Sequence, residues 1–289
     1  MSEQADLESP IAKGMFGRIS RARPTKPGEI YGVPGQGNTL WLSALSIAFF
    51  FAVWWLVTEM GWVRPLFVPS PVSIVRKFFE IWNSGFTGTP FVEHVLISTA
   101  RVFGAFLLAC AIGLPLGLAM GMSPVVRGIF DPPIEFYRPI PPLAYLPLMI
   151  IWFGIGEMSK VLLIFLSVFA PVVLGARSGV RSAAIEQIHA AYSFGATRWQ
   201  VMRYVILPSA LPEILTAMRI GIGFGWTTLV AAEMVAATKG LGYMVLSASQ
   251  FLQTPVVILG IFIIAIIAFA FDLLMRFLER RLVPWKGRM

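Results

Sequence analysis

The chain has 289 residues, of which 57% are hydrophobic and only 13% charged; a soluble domain carries about a quarter charged residues, so an ordinary water-soluble protein is excluded. The net charge of +8 would suit nucleic acid in a soluble domain, but here it fits basic residues flanking membrane spans. The single cysteine, Cys110, lies in an apolar run and excludes an internal disulfide or a cysteine-rich metal cluster.

Residues 1–37 are polar, with Pro24, Pro27 and Pro34, and are expected to form a cytoplasmic tail over 1–38. The first apolar run begins too late and is too long for a cleavable signal peptide. A bilayer core about 30 Å thick needs about 20 helical residues. Segments 39–59, 91–122, 142–153, 160–176, 214–237 and 255–277 meet or nearly meet this. Their apolar runs are continuous rather than alternating, which indicates helices and not a barrel. The expected fold is therefore all-α, a polytopic membrane protein of about six spans. Its membrane domain covers 39–278, and a second cytoplasmic tail covers 279–289.

Between the first two spans, PSPVSIVRKFFEIW predicts one more helix. Ser70 caps it and Pro71 suits its first position. Val75, Phe78, Phe79 and Trp82 form a stripe at helical spacing, away from Arg76, Lys77 and Glu80. This amphipathic helix either lies in the outer interface or packs on the protein. In the second span Arg101 marks a boundary or faces protein, and Pro115 frees a backbone carbonyl and kinks the helix. Gly113, Gly117 and Gly121 there, and Gly221 and Gly225 in the fifth span, repeat every four residues. Such rows let helices approach closely, either within the chain or at a subunit interface or pore wall.

The third span is short, and Pro139, Pro141, Pro142 and Pro147 crowd its start. Irregular backbone at membrane depth persists only against protein or a water cavity. That places 139–147, with Arg138 and Tyr145, beside a translocation path near an inner gate. Glu135 and Arg138 flank this segment and either hold the gate or form a local ion pair.

Orientation follows from the basic residues. With the N-terminus inside, only Arg64, Arg76, Lys77, Arg101, Lys160 and Lys239 of the 23 lysines and arginines fall outside. Both termini are therefore expected to be cytoplasmic. The two histidines, His94 and His189, then lie on opposite sides, against a zinc site or a histidine-based hydrolase. Glu233 falls near the outer end of the fifth span and is expected to line the outer mouth or, preferably, to pair with Lys239. Arg219 near its inner end is expected to snorkel to the interface.

The cytoplasmic region 177–213 contains HAAYSFGATRWQVMRYVILPSALP. A helix is expected to run off the fourth span through 176–188, with Ala190 and Ala191 keeping one face small. Gly195 supplies an open backbone conformation that ends the helix. Thr197 through Gln200 fits a capping box that restarts it. Val201, Tyr204 and Val205 give the new helix an apolar stripe, and Pro208 is expected to end it.

These residues resemble the Glu-Ala-Ala loop of ABC-importer permeases. Ala190, Ala191, Gly195, Leu207 and Pro208 match, whereas His189 stands where that loop has glutamate. The fragments LFVPSPVSIVRKF, YRPIPPLAYLPL and LPEILTAMRIGIGFGWTTLVAAEMVAATKGLGYMV extend the likeness to the nitrate/sulfonate/taurine permeases, and most to the taurine type. The resemblance implies a type I importer in a bacterial inner membrane. Two permease copies would work with a cytoplasmic ABC ATPase dimer and a periplasmic substrate-binding protein. It implies that Ala190, Ala191, Gly195, Ala196 and Thr197 couple to the ATPase, with Leu207 and Pro208 completing the loop. ATP and Mg would sit on the partner, with no cofactor on this chain and no nucleic acid partner. The chain has no G-x-x-x-x-G-K-[ST] loop for ATP. Nitrate and bicarbonate remain alternative substrates. A stand-alone secondary transporter would need paired broken helices and a coupling-ion site, and one proline-broken region is present. An intramembrane enzyme would need paired catalytic side chains, which the sequence does not offer.

Overall fold

A computed structural model describes residues 40–284. The tail expected over 1–38 and the last residues of the tail expected over 279–289 lie outside the described residues. The chain divides into two units at Pro65 and Leu66.

The first unit holds α1 (Leu40–Glu59), apolar on every side and without a charge until Glu59. Its last turn is closed by Thr58, whose hydroxyl donates to the carbonyls of Trp54 and Trp55 at 3.0 and 2.9 Å.

The second unit contains α2 (Pro71–Ser84), α3 (Phe91–Met122), α4 (Pro124–Tyr137), a 3-10 turn (Pro142–Tyr145), α5 (Leu146–Phe153) and α6 (Glu157–Val180). It continues with α7 (Ile185–Ser193), α8 (Arg198–Val201), α9 (Leu207–Ala236), α10 (Leu241–Gln250) and α11 (Thr254–Leu282). No strand occurs among the described residues. Helices α1, α3, α6, α9 with its preceding turns, and α11 are long and apolar enough to cross a membrane, and 142–153 is a shorter apolar helical segment. Five spans and a short sixth fit the expected architecture. The third is broken as its prolines require: α5 at about 1.5 Å per residue covers less than half of the bilayer core.

Helix α6 packs along α3 on one side and α9 on the other, and glycine makes both contacts possible. A Cβ on Gly117 would stand 2.4 Å from the Val173 carbonyl oxygen, and one on Gly121 would stand 2.6 Å from Val180. On the other side, Gly175 and Gly179 of α6 receive Ala217 and Ala210 of α9, while Gly221 and Gly225 lie against Val168. The glycine rows therefore serve packing within this chain. Val102, Phe106, Ile164, Val168, Trp226, Leu229 and Phe271 fill the buried core between these helices.

Helix α2 starts as expected: Ser70 Oγ accepts from the Ser73 amide at 3.2 Å, and Pro71 occupies the first turn. It packs on α11 and the start of α3. Ile74 and Ile81 are its buried residues, while Val75, Phe79 and Trp82 stay exposed. Of the expected stripe, Val75, Phe79 and Trp82 are exposed while Phe78 is half-buried with its ring 5.8 Å from that of Phe91 of α3, and the Ile74 and Ile81 face holds the helix to the protein. Helices α4 and α10 were not foreseen. Pro132 and Pro133 lie inside α4, and α10 buries Leu241, Met244, Val245 and Ala248 behind a short, weakly patterned sequence.

Candidate functional site

The hairpin after α6 departs from the expected continuous helix. Helix α6 stops at Val180 and a turn over 181–184 intervenes before α7. The Ser182 hydroxyl explains the break, donating to the Gly179 carbonyl at 2.8 Å and across to the Ser209 carbonyl of α9 at 2.9 Å. Helix α7 ends in a Schellman motif: Ala196 N–H donates to the Ala191 carbonyl at 3.0 Å and Gly195 N–H to the Tyr192 carbonyl at 2.9 Å. Gly195 holds φ +80° with open space where a Cβ would stand. Its constraint is therefore backbone conformation and not room. Thr197 and Gln200 then form a capping box: Thr197 N–H donates to Gln200 Oε1 at 2.7 Å, and Gln200 N–H to Thr197 Oγ1 at 3.4 Å.

Pro208 does not end the next helix. Residues Met202–Ile206 form a wide turn in which Leu207 N–H donates to the Met202 carbonyl, five residues back. In an ordinary α-helix the Pro208 ring would strike the carbonyl four residues before it. The wider turn relieves that clash, so helical backbone continues from Arg198 to Ala236.

Ala191, Gly195 and Ala196 line a groove of about 330 Å³ together with Gln200, Val201 and Tyr204. Ala190 and Thr197 stand exposed beside it, and Leu207 and Pro208 lie at the root of α9, outside the groove. Phe194 is 92% exposed, Trp199 70% and Tyr204 68%. Apart from Tyr204, which read as helix stripe, these aromatics were not singled out in the sequence; their exposure depends on the sharp turn at Gly195.

The proline-rich segment lines a second and larger cavity, about 530 Å³. Arg138, Pro139, Pro141, Pro142 and Tyr145 form one wall; Ser167 and Ala170 of α6, and Glu213, Thr216, Ile220 and Phe224 of α9, form the others. Arg138 Nη1 donates to Glu135 Oε2 at 3.4 Å, and Arg177 of α6 pairs with Asp131 and with Glu135 of α4. These pairs pin α4 to α6 behind the cavity. The Tyr137 hydroxyl reaches the Leu166 carbonyl at 3.5 Å. Burial, with Tyr145 nearby, holds the Tyr137 phenol above its usual range, so it remains a neutral donor. Glu213 was not foreseen, because an acid just after Pro212 reads as an ordinary first-turn residue.

A buried polar network lies where the start of α3, the start of α6, the end of α9 and the start of α10 meet. Glu233 is fully buried and, against expectation, its partner is not the Lys239 side chain. It accepts from Arg101 Nη1 at 2.6 Å, Ser98 Oγ at 2.8 Å and the Gly242 amide at 2.8 Å. The Lys239 ammonium pairs with Glu93 at 2.6 Å, while its carbonyl accepts from Arg101 at 2.8 Å. The turn at Gly240 causes this exchange by directing the Lys239 backbone inward. Arg101 also clamps both oxygens of Glu157 at 2.6 Å, and Lys160 reaches the same carboxylate at 2.9 Å. His94 Nδ1 accepts the Gly240 amide at 3.0 Å. Arg219 does not simply snorkel: it faces Asp272 and Glu279 of α11 at 3.6 and 3.8 Å, because α11 carries acids on the adjoining face.

Residues 113–284 match the family described as binding-protein-dependent transport system inner membrane component. The taurine transport system permease protein TauC of Escherichia coli (strain K12) is 54% identical over 249 residues, which cover 86% of this chain and 90% of that protein. The putative aliphatic sulfonates transport permease protein SsuC of Bacillus subtilis (strain 168) is 37% identical over 255 residues, covering 88% and 91%. Among solved structures, an amino acid ABC transporter crystallised with histidines superposes with a TM-score of 0.52 at 24% identity, over 74% of this chain and 97% of that one; this likeness concerns the fold alone.

Proposed function

The chain belongs to the binding-protein-dependent transport system inner membrane components, and from that premise we propose that it is the permease of an importer for taurine or a related sulfonate. It is a multi-pass inner-membrane transport subunit and not an enzyme. Two copies form the pore, and alternating access is driven by a separate cytoplasmic ATPase dimer that holds ATP and Mg. A periplasmic binding protein delivers the substrate. The identity to TauC over most of both chains carries the substrate assignment.

The hairpin supports the coupling role. Its groove is open, its aromatics are exposed, and the Schellman turn and capping box fix its two helices. Ala190, Ala191, Gly195, Ala196 and Thr197 offer the ATPase a narrow face. Histidine stands at 189 in place of the glutamate of the loop pattern, so docking rests on shape. Leu207 and Pro208 join this face to α9, which lines the cavity. A push on the hairpin thus reaches Glu213 and Thr216 through one continuous stretch of helix. Arg138, Pro139, Pro141, Pro142 and Tyr145 form the moving wall of the pathway. The distribution of lysine and arginine supports cytoplasmic termini and a cytoplasmic hairpin.

Reconstitution tests the reading. The wild-type permease with its cognate ATPase and binding protein is expected to accumulate labelled taurine in proteoliposomes only with ATP. Accumulation by the permease alone, or none by the full complex, would overturn it.

A further inference from the structure

Glu213 faces the larger cavity from α9, one turn before Thr216 and two before Ile220. It has no cationic partner among the described residues. Other acids of the same unit are engaged: Glu80 by Lys77, Glu93 by Lys239, Asp131 and Glu135 by Arg177, Glu157 and Glu233 by Arg101, and Asp272 and Glu279 by Arg219. Glu186, which also has no ion pair, lies on the hairpin and does not line this cavity. Glu213 is itself exposed, at the end of α9 nearest the hairpin, so its carboxylate is open to a ligand that enters this cavity.

The opposite wall carries Arg138. Its link to Glu135 is long, 3.4 Å, and its side chain is 57% exposed. A guanidinium has five donors in a planar fork, so most of them remain for an oxyanion. Apolar Ile220 and Phe224 and the hydroxyls of Tyr145 and Thr216 complete the lining. One cavity of about 530 Å³ thus has an unsaturated cation and an unpaired anion among a mainly apolar lining. A simple anion would use Arg138 but meet Glu213 as an uncompensated like charge, a repulsive element of the kind that sets specificity.

We propose that this cavity holds a zwitterion in transit, with an oxyanion head on Arg138 and an ammonium group on Glu213. The inference rests on the sulfonate assignment above and narrows it to amino-sulfonates. Selection is therefore made in the permease as well as in the binding protein.

Saturation-transfer NMR on the nucleotide-free complex in nanodiscs tests this without the binding protein. The probes are taurine and isethionate, which share the sulfonate and differ in an amine against a hydroxyl. Wild type is expected to saturate taurine methylenes and leave isethionate nearly dark. Glu213→Gln loses the taurine signal and gains one from isethionate, Glu213→Asp keeps the taurine signal, and Arg138→Gln loses both. Equal signals from the two probes, no signal in wild type, a taurine signal that survives Glu213→Gln, or its loss in Glu213→Asp as well, would each overturn the proposal. If ATP-driven taurine uptake stands while any of these holds, only the zwitterion site falls; if wild-type uptake is absent, the sulfonate assignment falls.

Discussion

Arg101 ties three helices and a turn at a single point: it bridges Glu233 of α9, Glu157 of α6 and the Lys239 carbonyl from its own place on α3. A buried pair adds little net stability over apolar residues, but losing one partner leaves a buried charge uncompensated, at about 3–5 kcal/mol. Arg101→Met is therefore expected to lower unfolding stability by about this amount, because Glu233 keeps only Ser98 and the Gly242 amide. Glu233→Gln costs less, since Arg101 retains the half-solvated Glu157. The double variant should be more stable than Arg101→Met alone, giving a favourable coupling in a double-mutant cycle measured by thermal unfolding in detergent. A double variant as unstable as the sum of the singles would refute the pairing argument. The sequence marked Arg101 and Glu233 as unusual because charge within apolar runs is visible there. It did not pair them, because they are 132 residues apart and Lys239 was the nearer cation in the chain.

At the scale of elements, two glycines act for opposite reasons. On Gly117 a Cβ would meet backbone at 2.4 Å, so Gly117→Ala must separate α3 from α6 and is expected to cost about 1–3 kcal/mol of stability. On Gly195 a Cβ meets nothing, but φ is +80°. Gly195→Ala therefore costs about 1–2 kcal/mol locally, and it should uncouple ATP hydrolysis from loaded binding protein while the helical core melts as in wild type. Gly195→Asn, which tolerates the left-handed region, should restore coupling. Equal melting shifts for Gly117→Ala and Gly195→Ala would contradict this division. Pro208 offers a third test. With alanine there, the wide turn before it loses its cause and can tighten to α-geometry, which turns α8 about the α9 axis. Pro208→Ala is expected to insert normally, melt no lower than wild type and show weakened stimulation of the ATPase; unchanged stimulation would show that the wide turn is idle. Long elements were legible because unbroken apolar runs have few alternatives. Helices α4 and α10 were not: one hides behind Pro132 and Pro133, and the other is ten residues long with no cap to announce it. The wide turn at 202–206 was also hidden, since Pro208 reads locally as a stop and only the following helix shows that it continues.

At the scale of the whole molecule, the cavity joins three segments that the sequence presents separately: the proline-rich wall, the middle of α6 and the inner part of α9. Alternating access requires that this cavity be open to one side in one state and closed in another. The chain suits a direct test, because its only cysteine, Cys110, is buried in the helical core. Cys110→Ala then gives a cysteine-free background in which positions across 139–146, and Ile220 and Phe224 on the opposite wall, are replaced one at a time. A membrane-impermeant maleimide added from the cytoplasmic side should label Tyr145→Cys and Ile220→Cys quickly in the nucleotide-free complex. Labelling should slow when a hydrolysis-deficient ATPase holds ATP. Leu163→Cys, fully buried between helices, should stay unreactive in both states and so report intact packing. The two walls must respond together, since they border one space; a change confined to the proline wall would mean local flexibility and not closure of a pathway. If no position on either wall changed its rate between the two states, the cavity would not be the path of the substrate, and the coupling assigned to the hairpin would have to act on some other surface of the protein.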